Sequence, residues 1–281
     1  NTPYFLTADH CLSRDNLDAA GDSDASDYMF YWNYESPTCN SSTVEPAIFS
    51  STGATVRANN SNSDFALLEL IESPGAAGYD VFYNGWDRTT TPNGGGVGIH
   101  HPAGDIKKIS THNQIPGPGQ INNANFFWRV NWMATPNGFS VTEGGSSGSP
   151  LFMNNGRVIG QLFGGSNINC LNPANDPGEY GRFDVSWNGA NPQRRLRDWL
   201  DPSGTNAVFL EGEEAFIIGP NESCVGEQVT FQLVGGVPAT ATINWQYPNS
   251  KMYIVSGQGT ETCILSSFTP GINQNISSSH K

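Results

Sequence analysis

The segment best suited to chemistry is a glycine- and serine-rich turn, Glu143-Gly144-Gly145-Ser146-Ser147-Gly148-Ser149-Pro150, directly before the apolar run Leu151–Met153. Glycines on both sides of a serine permit a tight, exposed turn. Such a turn can aim the backbone N–H groups of Gly145 and Ser147 at one point, as an oxyanion hole requires, and leaves the Ser147 hydroxyl free for attack on a carbonyl carbon. An ordinary hairpin loop is the alternative interpretation, so partners elsewhere in the chain must decide.

A serine nucleophile needs a base within hydrogen-bond reach and a carboxylate that holds the base in the correct tautomer. Among the five histidines, His10 follows the apolar run Tyr4–Ala8 and precedes Cys11, and Asp64 stands at the mouth of the apolar run Phe65–Leu70. A buried aspartate needs a partner, which a histidine N–H would provide. A strand-end histidine bonded to backbone and a turn aspartate are the alternatives.

The order of these residues along the chain favours one class of site. His10, Asp64 and Ser147 follow the order of the chymotrypsin class, which differs from the orders of subtilisins and α/β-hydrolases. Chemistry of this kind needs no metal or organic cofactor. His100 and His101 are neighbours on a predicted strand and face opposite sides, so they cannot share a metal site. The remaining histidines fall in a polar loop and in the tail, without supporting context: His112 and His280.

The composition excludes several classes of partner. The chain has 281 residues, a formal charge of −13 and only 14% charged residues, so it offers no basic stripe for nucleic acid or anionic lipid. No apolar run approaches the roughly 18 residues that a membrane span needs. The 32 glycines and 18 prolines favour short strands joined by turns over long helices.

Short apolar or alternating runs between Gly, Pro, Asn and Ser clusters predict an all-β fold. These runs are Tyr4–Ala8, Tyr28–Tyr34, Phe65–Leu70, Tyr79–Phe82, Gly96–His101, Phe126–Trp132, Leu151–Met153 and Val158–Phe163. One helix is predicted over Asn191–Leu200, with Asn191 as its N-cap and Pro192 in its first turn. We therefore expect a first domain over residues 1–212 that closes with a C-terminal helix.

The rhythm of apolar residues changes after residue 212. Alternating runs around Val229–Leu233, Thr242–Tyr247 and Cys263–Leu265 predict a small β-sandwich domain over residues 213–281. This domain is short for an immunoglobulin-like module of about 100 residues. Its polar tail, Asn273–Lys281, has a composition that indicates no structure, so we expect the sandwich to be incomplete.

Several motifs in order along residues 1–212 resemble those of bacterial secreted lysyl endopeptidases, a branch of the trypsin-like serine proteases. They are Tyr4-Phe5-Leu6-Thr7-Ala8-Asp9-His10-Cys11, Tyr31-Trp32-Asn33-Tyr34, Ser63-Asp64-Phe65, Gly85-Trp86-Asp87-Arg88, Ile99-His100-His101-Pro102, Thr142 to Pro150, Gly160-Gln161-Leu162, Tyr180-Gly181-Arg182 and Trp199-Leu200-Asp201-Pro202. The resemblance implies a chymotrypsin-like double β-barrel with His10, Asp64 and Ser147 as a triad in the cleft between the barrels. Only nine residues precede His10, so the first barrel is expected to lack N-terminal strands.

The resemblance also bears on the five cysteines. No CxxC pair is present, which argues against a zinc ribbon or a thioredoxin-type motif. In the family, the cysteines matching Cys11, Cys39 and Cys170 form disulfides with a segment ahead of the first strand seen here. Cys224 and Cys263 are free to pair inside the second domain, if their distance allows it. Scattered cysteines predict an exported, oxidising location.

Substrate selection is where the chain departs from the family. The family's lysine-binding aspartate is replaced by Gly178, and a histidine of the motif Gly-Gln-Leu-His-Gly-Gly by Phe163. Val141 stands six residues before Ser147, where trypsins place an acidic pocket floor. The S1 pocket is therefore expected to be roomier and less charged; its predicted lining is Val141, Phe163, Gly164, Gly165 and Gly178. Glu143 and Asp176 remain acidic candidates, so both an apolar or broad and a basic P1 preference stay open.

The main hypothesis is a secreted serine endopeptidase that cleaves peptide bonds of proteins or peptides through an acyl-enzyme. The alternative is a catalytically inactive extracellular binding or adhesion protein on the same scaffold, and an esterase is a third interpretation. The C-terminal segment resembles PKD-like repeats of exported bacterial enzymes. That resemblance implies a spacer, or a contact with extracellular matrix or a cell surface.

Overall fold

The structure, a computed structural model, describes residues 2–12, 25–38, 46, 49–74, 81–120, 124–134, 139–165, 176–212, 216–218, 222–234, 243–247, 251–260, 262–267, 271–272 and 277–280. Two compact units divide the chain, Asn1–Glu211 and Gly212–Lys281. Cys39, Cys170 and the start of the predicted strand Tyr79–Phe82 lie outside the described residues. Val81 and Phe82 are described and are not in a strand.

The N-terminal half of the first unit contains five strands: β1 (Tyr4–Ala8), β2 (Met29–Trp32), β3 (Phe49–Thr52), β4 (Ala54–Asn60) and β5 (Phe65–Leu70). They pair antiparallel in the order β1-β5-β4, and β2 pairs with β3. β3 continues into β4 through Gly53, whose φ of +81° suits glycine. Alternate side chains of these strands, such as Phe30, Val56 and Leu68, form an apolar core.

The second half contains eight strands: β6 (Trp86–Asp87), β7 (Gly96–His100), β8 (Lys108–His112), β9 (Gly117–Pro118), β10 (Phe127–Val130), β11 (Pro150–Met153), β12 (Val158–Gly165) and β13 (Gly178–Arg182). They form one path, β8-β7-β11-β12-β13-β10-β9, to which β6 adds through β12. Beyond β10, the Met133 N–H donates to the Thr111 carbonyl of β8 at 2.9 Å. This bond links the segment beyond β10 to β8, so that the six strands β8-β7-β11-β12-β13-β10 enclose an apolar core that includes Trp128, Leu151 and Tyr180.

The predicted helix Asn191–Leu200 is wrong as a single helix. Asn191 does cap a turn, because its side chain accepts from Gln193 N–H at 3.1 Å, but this turn is a 3₁₀ turn over Pro192–Arg194. The chain is extended at Arg195 before α2 (Arg197–Leu200) begins. The break places the Arg195 guanidinium on the Asp198 carboxylate. A further short helix and strand belong to this unit: α1 (Phe183–Ser186) and β14 (Phe209–Leu210).

The second unit contains β15 (Phe216–Ile218), β16 (Glu222–Ser223), β17 (Gln228–Val234), β18 (Ile243–Gln246), β19 (Met252–Ser256), β20 (Thr262–Ser267), β21 (Gly271–Ile272) and β22 (Ser277–His280). β15-β17-β20-β19 form one sheet, and β16-β21 and β18-β22 form separate pairs. Side chains of both the sheet and β18 share one core, including Phe231, Trp245 and Leu265. The predicted unstructured tail is wrong at β22, because pairing with β18 satisfies its backbone groups.

The all-β prediction is confirmed, since strands carry both units and the described helices are single turns. None of those helices is both long and apolar enough to cross a membrane. Cys11, Cys224 and Cys263 are free thiols. A disulfide between Cys224 and Cys263 is therefore not formed: Cys263 is buried in the core of its unit and Cys224 is exposed.

Candidate active site

His10, Asp64 and Ser147 lie together in one hydrogen-bonded row. The His10 Nδ1 atom is 2.7 Å from Asp64 Oδ2, and His10 Nε2 is 2.8 Å from Ser147 Oγ. The first half of the unit supplies His10 and Asp64, and the second half supplies Ser147. The structure thus brings together the three residues predicted as a triad, with a hydroxyl, an imidazole and a carboxylate in the order that such a site requires.

The pairing register of β1 with β5 explains how His10 and Asp64 meet. Ala8 is opposite Phe65, so the residues just beyond the ladder, Asp9 and His10 on one side and Asp64 on the other, are adjacent. The backbone N–H of Asp9 donates to Asp64 O at 3.0 Å. Asp64 itself is buried and has a φ of +55°, a left-handed conformation that few residues other than glycine and asparagine or aspartate adopt.

Asp64 binds His10 at two places. Its Oδ2 accepts from the ring, and its Oδ1 accepts from the His10 backbone N–H at 2.9 Å. This hydrogen bond to the ring is the main cause that raises the pKa of His10 above its ordinary value, with Cys11 acting in the same direction and burial against it. The His10 side chain remains 41% exposed, so its other edge is open to a substrate.

Gln161 is a residue of the site that the sequence did not reveal. Its Nε2 donates to Ser63 O at 2.8 Å and to Asp64 O at 3.3 Å. Because Gln161 belongs to β12 and Asp64 directly precedes β5, this side chain joins the two halves directly behind the carboxylate. The motif Gly160-Gln161-Leu162 was the available signal, although spacing alone gave it no role.

Residues 143–148, called here the nucleophile turn, hold Ser147 between β1 and β11. Gly145 has a φ of +93° and Gly148 a φ of +81°, which explains the need for glycine at both positions. The N–H of Gly148 donates to Leu162 O at 2.8 Å. This bond fixes the turn to β12 on the C-terminal side of Ser147.

The peptide between Gly144 and Gly145 is oriented by a neighbouring loop. The Ala103 N–H donates to Gly144 O at 2.7 Å. In a trans peptide the carbonyl and the N–H point in opposite directions, so the Gly145 N–H points away from Ala103. Within the described residues, neither the Gly145 N–H nor the Ser147 N–H donates to a protein acceptor, so both donors are available to an oxyanion.

The residues predicted to line S1 fall into two groups. Phe163 lies beside the row His10–Asp64–Ser147, with its ring 5.7 Å from the His10 ring and 5.4 Å from the Phe127 ring. Gly164 and Gly165 follow it on β12, and a Cβ on Gly165 would lie 3.0 Å from Asp176 Oδ1. Glu143 is half-buried in the nucleophile turn.

The other group, Val141 and Gly178, lies against the core of the second half. Val141 is buried in the same apolar cluster as Trp132 and Tyr180. A Cβ on Gly178 would be 2.8 Å from Tyr180 Cε2 and 2.9 Å from Trp132 Cζ2. The two aromatic rings therefore occupy the room that the absent side chain at position 178 was expected to leave.

The histidine pair Ile99-His100-His101-Pro102 does not form a metal site. His100 is buried and bonds to serines, whereas His101 is more exposed and its Nδ1 contacts Asp105 O at 3.0 Å. In the described part of the chain, no group of three or more His, Cys, Asp or Glu side chains could hold a metal ion. His112, expected in a polar loop, ends β8 and is buried.

The topology and the row His10–Asp64–Ser147 between two strand-rich halves define the chymotrypsin-like class of fold. The chain belongs to the lysyl endopeptidase C-terminal domain family, whose model matches residues 1–181. It is 33% identical over 184 residues to a lysyl endopeptidase of Pseudomonas aeruginosa, covering 63% of this chain and 36% of that protein. The chain thus spans about a third of the length of this curated relative.

Two solved structures are also similar to the chain. One is a Glu endopeptidase in complex with MPD, with a TM-score of 0.37 and 18% identity over 64% of this chain and 77% of that one. The other is an M. tuberculosis protease in its active form, with a TM-score of 0.31 and 19% identity over 49% and 59% of the two chains.

Proposed function

We propose that this chain is the catalytic part of a secreted serine endopeptidase. The observation that carries the proposal is the unbroken row from Asp64 Oδ2 through the His10 ring to Ser147 Oγ, with contacts of 2.7 and 2.8 Å. Membership of a family named for an endopeptidase supports the same activity. Proteins or peptides are the substrates that this activity implies.

The reaction follows from the geometry of the row. His10 Nε2 accepts the Ser147 proton as Oγ attacks the scissile carbonyl carbon, and the Gly145 and Ser147 N–H groups donate to the developing oxyanion. The His10 imidazolium then gives its proton to the leaving amine, and the C–N bond breaks to leave an ester on Ser147. His10 takes a proton from water as it attacks that ester; the C–O bond to Ser147 breaks, the acid is released, and His10 returns the proton to Oγ. Asp64 orients His10 and stabilises its cationic form throughout.

We further propose an apolar or broad P1 preference in place of lysine selectivity. Gly178 supplies no carboxylate, and the buried side chains of Val141, Trp132 and Tyr180 fill the space beside it with apolar groups. The position at which the family binds lysine therefore offers the ammonium group neither a counter-ion nor room. The endopeptidase activity of the matched family is therefore proposed for this chain, but its lysine selectivity at P1 is not.

The second unit, residues 213–281, is proposed to be a PKD-like spacer or surface-contact module. Its support is the four-stranded sheet with a single core in which Trp245 is buried. Export to an oxidising environment is proposed with it, because the family's cysteines form disulfides there. Cys11, exposed beside His10, is then available for a disulfide to another segment.

Covalent labelling tests the proposed activity. The purified protein is treated with a fluorophosphonate, and the adduct is mapped by peptide mass spectrometry beside a Ser147→Ala control. An adduct at Ser147 that is absent from the control is the expected result, and a peptide library then reports the P1 preference. A folded protein that carries no adduct would support the inactive binding scaffold instead, and turnover of esters without peptides would support the esterase.

A further inference from the structure

We infer that His100 is a positioning residue that holds the nucleophile turn in the shape that forms the oxyanion hole, an inference that rests on the proposed function. The row His10–Asp64–Ser147 does not include His100. Its side chain is almost fully buried, with 1% exposure, and reaches the turn at Ser146, the residue directly before the nucleophile.

His100 contacts a serine hydroxyl with each ring nitrogen. Nδ1 is 2.9 Å from Ser146 Oγ, and Nε2 is 2.9 Å from Ser110 Oγ. Both serines are as buried as the histidine, with 1% and 0% exposure. Three buried polar side chains from β7, β8 and the nucleophile turn are thus joined at a place where water has no access.

The donors and acceptors of this network fit one protonation state. The Glu143 N–H donates to Ser146 Oγ at 3.3 Å, which leaves the Ser146 hydroxyl proton for His100 Nδ1. His100 Nε2–H then donates to Ser110 Oγ, and Ser110 donates to Ser140 Oγ at 3.1 Å. Every member is satisfied only with a neutral imidazole that carries its proton on Nε2. Burial, the first cause, together with His101 and Lys108, lowers the pKa of His100 to about 4 and keeps it neutral.

The loop that follows β7 also supports the nucleophile turn. Residues 101–104 follow His100 directly, and within them the Ala103 N–H holds the Gly144 carbonyl. Gly145 is so close to this loop that a Cβ on it would lie 3.3 Å from Ala103 N. Ala103 holds the Gly144 carbonyl on one side of Gly145, and His100 holds the Ser146 side chain on the other. Together they fix the direction of the Gly145 N–H before substrate arrives.

A pair of substitutions separates the two links of His100. His100→Asn places an amide group where Nδ1 stands and keeps the link to Ser146. His100→Gln places it where Nε2 stands and keeps the link to Ser110. We expect kcat to stay within about threefold of the parent in the first and to fall about tenfold to a hundredfold in the second, with KM little changed. Ser146→Ala should follow the second.

Thermal unfolding and active-site titration accompany each kinetic measurement, so that kcat refers to folded and titratable molecules. A kcat that follows the melting temperature, irrespective of which link is kept, would show that His100 has a structural role only. The parent protein separates the two proposals: absence of Ser147 labelling in the parent contradicts the proposed function. A labelled parent whose His100→Gln and Ser146→Ala variants turn over at the parent rate contradicts the role of His100.

Discussion

Gly148 lies directly against Thr7, because a Cβ on Gly148 would overlap Thr7 Oγ1 and lie 2.8 Å from Ala8 N. The residue after Ser147 therefore touches the strand that leads to His10. This contact sets the spacing between His10 and Ser147, and no side chain fits into it.

Gly148→Ala should separate Ser147 from His10. The added methyl group has to push β1 away, and alanine is strained at the φ of +81°, so we expect a loss of roughly 1–3 kcal/mol of unfolding free energy together with loss of turnover. Urea unfolding and peptide hydrolysis measure both. Gly156→Ala is the matched control, since its φ of +79° is nearly the same and nothing lies within 4 Å of a Cβ there; equal behaviour of the two variants would contradict the packing argument.

The pH dependence of activity should show the influence of Asp64 on His10. His10 must be neutral to accept the Ser147 proton, and its pKa is raised chiefly by Asp64. The acid limb of kcat/KM should therefore lie above the ordinary histidine pKa of about 6.5, with activity increasing as the pH rises through it.

Asp64→Asn should move that acid limb to lower pH and reduce kcat by about 10⁴-fold, because the histidine tautomer is no longer held. Cys11→Ser should move the limb in the same direction with a smaller effect, because Cys11 is the second cause of the shift. Rate profiles from pH 5 to 10 test both variants. An acid limb that stays in place in Asp64→Asn would show that another group controls it.

Gly178→Asp should fail to create a lysine-selective enzyme. The new Cβ would stand 2.8 Å from Tyr180 Cε2 and 2.9 Å from Trp132 Cζ2, and its carboxylate would be buried among apolar groups. We expect a lower melting temperature and no preference for lysine at P1 in a peptide library. Gly178→Ala separates the steric effect of the added Cβ from the effect of the carboxylate. A stable aspartate variant with new lysine selectivity would contradict our description of the packing around Gly178.

Stability should fall in mild acid because of His100. Its folded-state pKa is lowered to about 4, with burial as the first cause, so between about pH 6.5 and pH 4 the unfolded chain binds a proton that the folded chain does not. The free energy of unfolding therefore decreases as the pH falls through this window. His100→Asn should flatten the decrease in urea unfolding at pH 7, 5.5 and 4. Because burial also lowers the pKa of His112, part of the slope should remain.

The strands could be predicted because apolar alternation, which defines β1 and β5, is a local pattern. The proximity of His10, Asp64 and Ser147 was predicted from their order along the chain and from the family resemblance, and the register of β1 with β5 is what brings His10 to Asp64. Their catalytic roles stay predictions. The break at Arg195 was not predictable, since the next residue, Leu196, donates its backbone N–H to Ser186 O at 2.9 Å and not to a carbonyl of the turn that Asn191 and Pro192 begin. Local sequence signals cap and start that helix but do not show where tertiary contacts end it.

The filled space beside Gly178 and the hydrogen bonds of His100 and Gln161 could not be predicted for a different reason. A glycine at position 178 indicates missing volume, but only the packing of Trp132 and Tyr180 shows that the volume is filled. The roles of His100 and Gln161 depend on partners 46 and about a hundred residues away. Without the three-dimensional structure, such long-range partners cannot be assigned to a particular histidine or glutamine.

The two hydrogen bonds between His10 and Asp64 have a consequence for the entropy of the proposed catalysis. Because the Asp64 carboxylate binds the His10 main chain through Oδ1 and the ring through Oδ2, the group that orients the imidazole is itself fixed to the backbone of the same residue. In the proposed reaction, the orientational freedom of His10 is therefore lost once, during folding, and not again in each turnover. The proposed proton acceptor then has its direction set before a substrate binds.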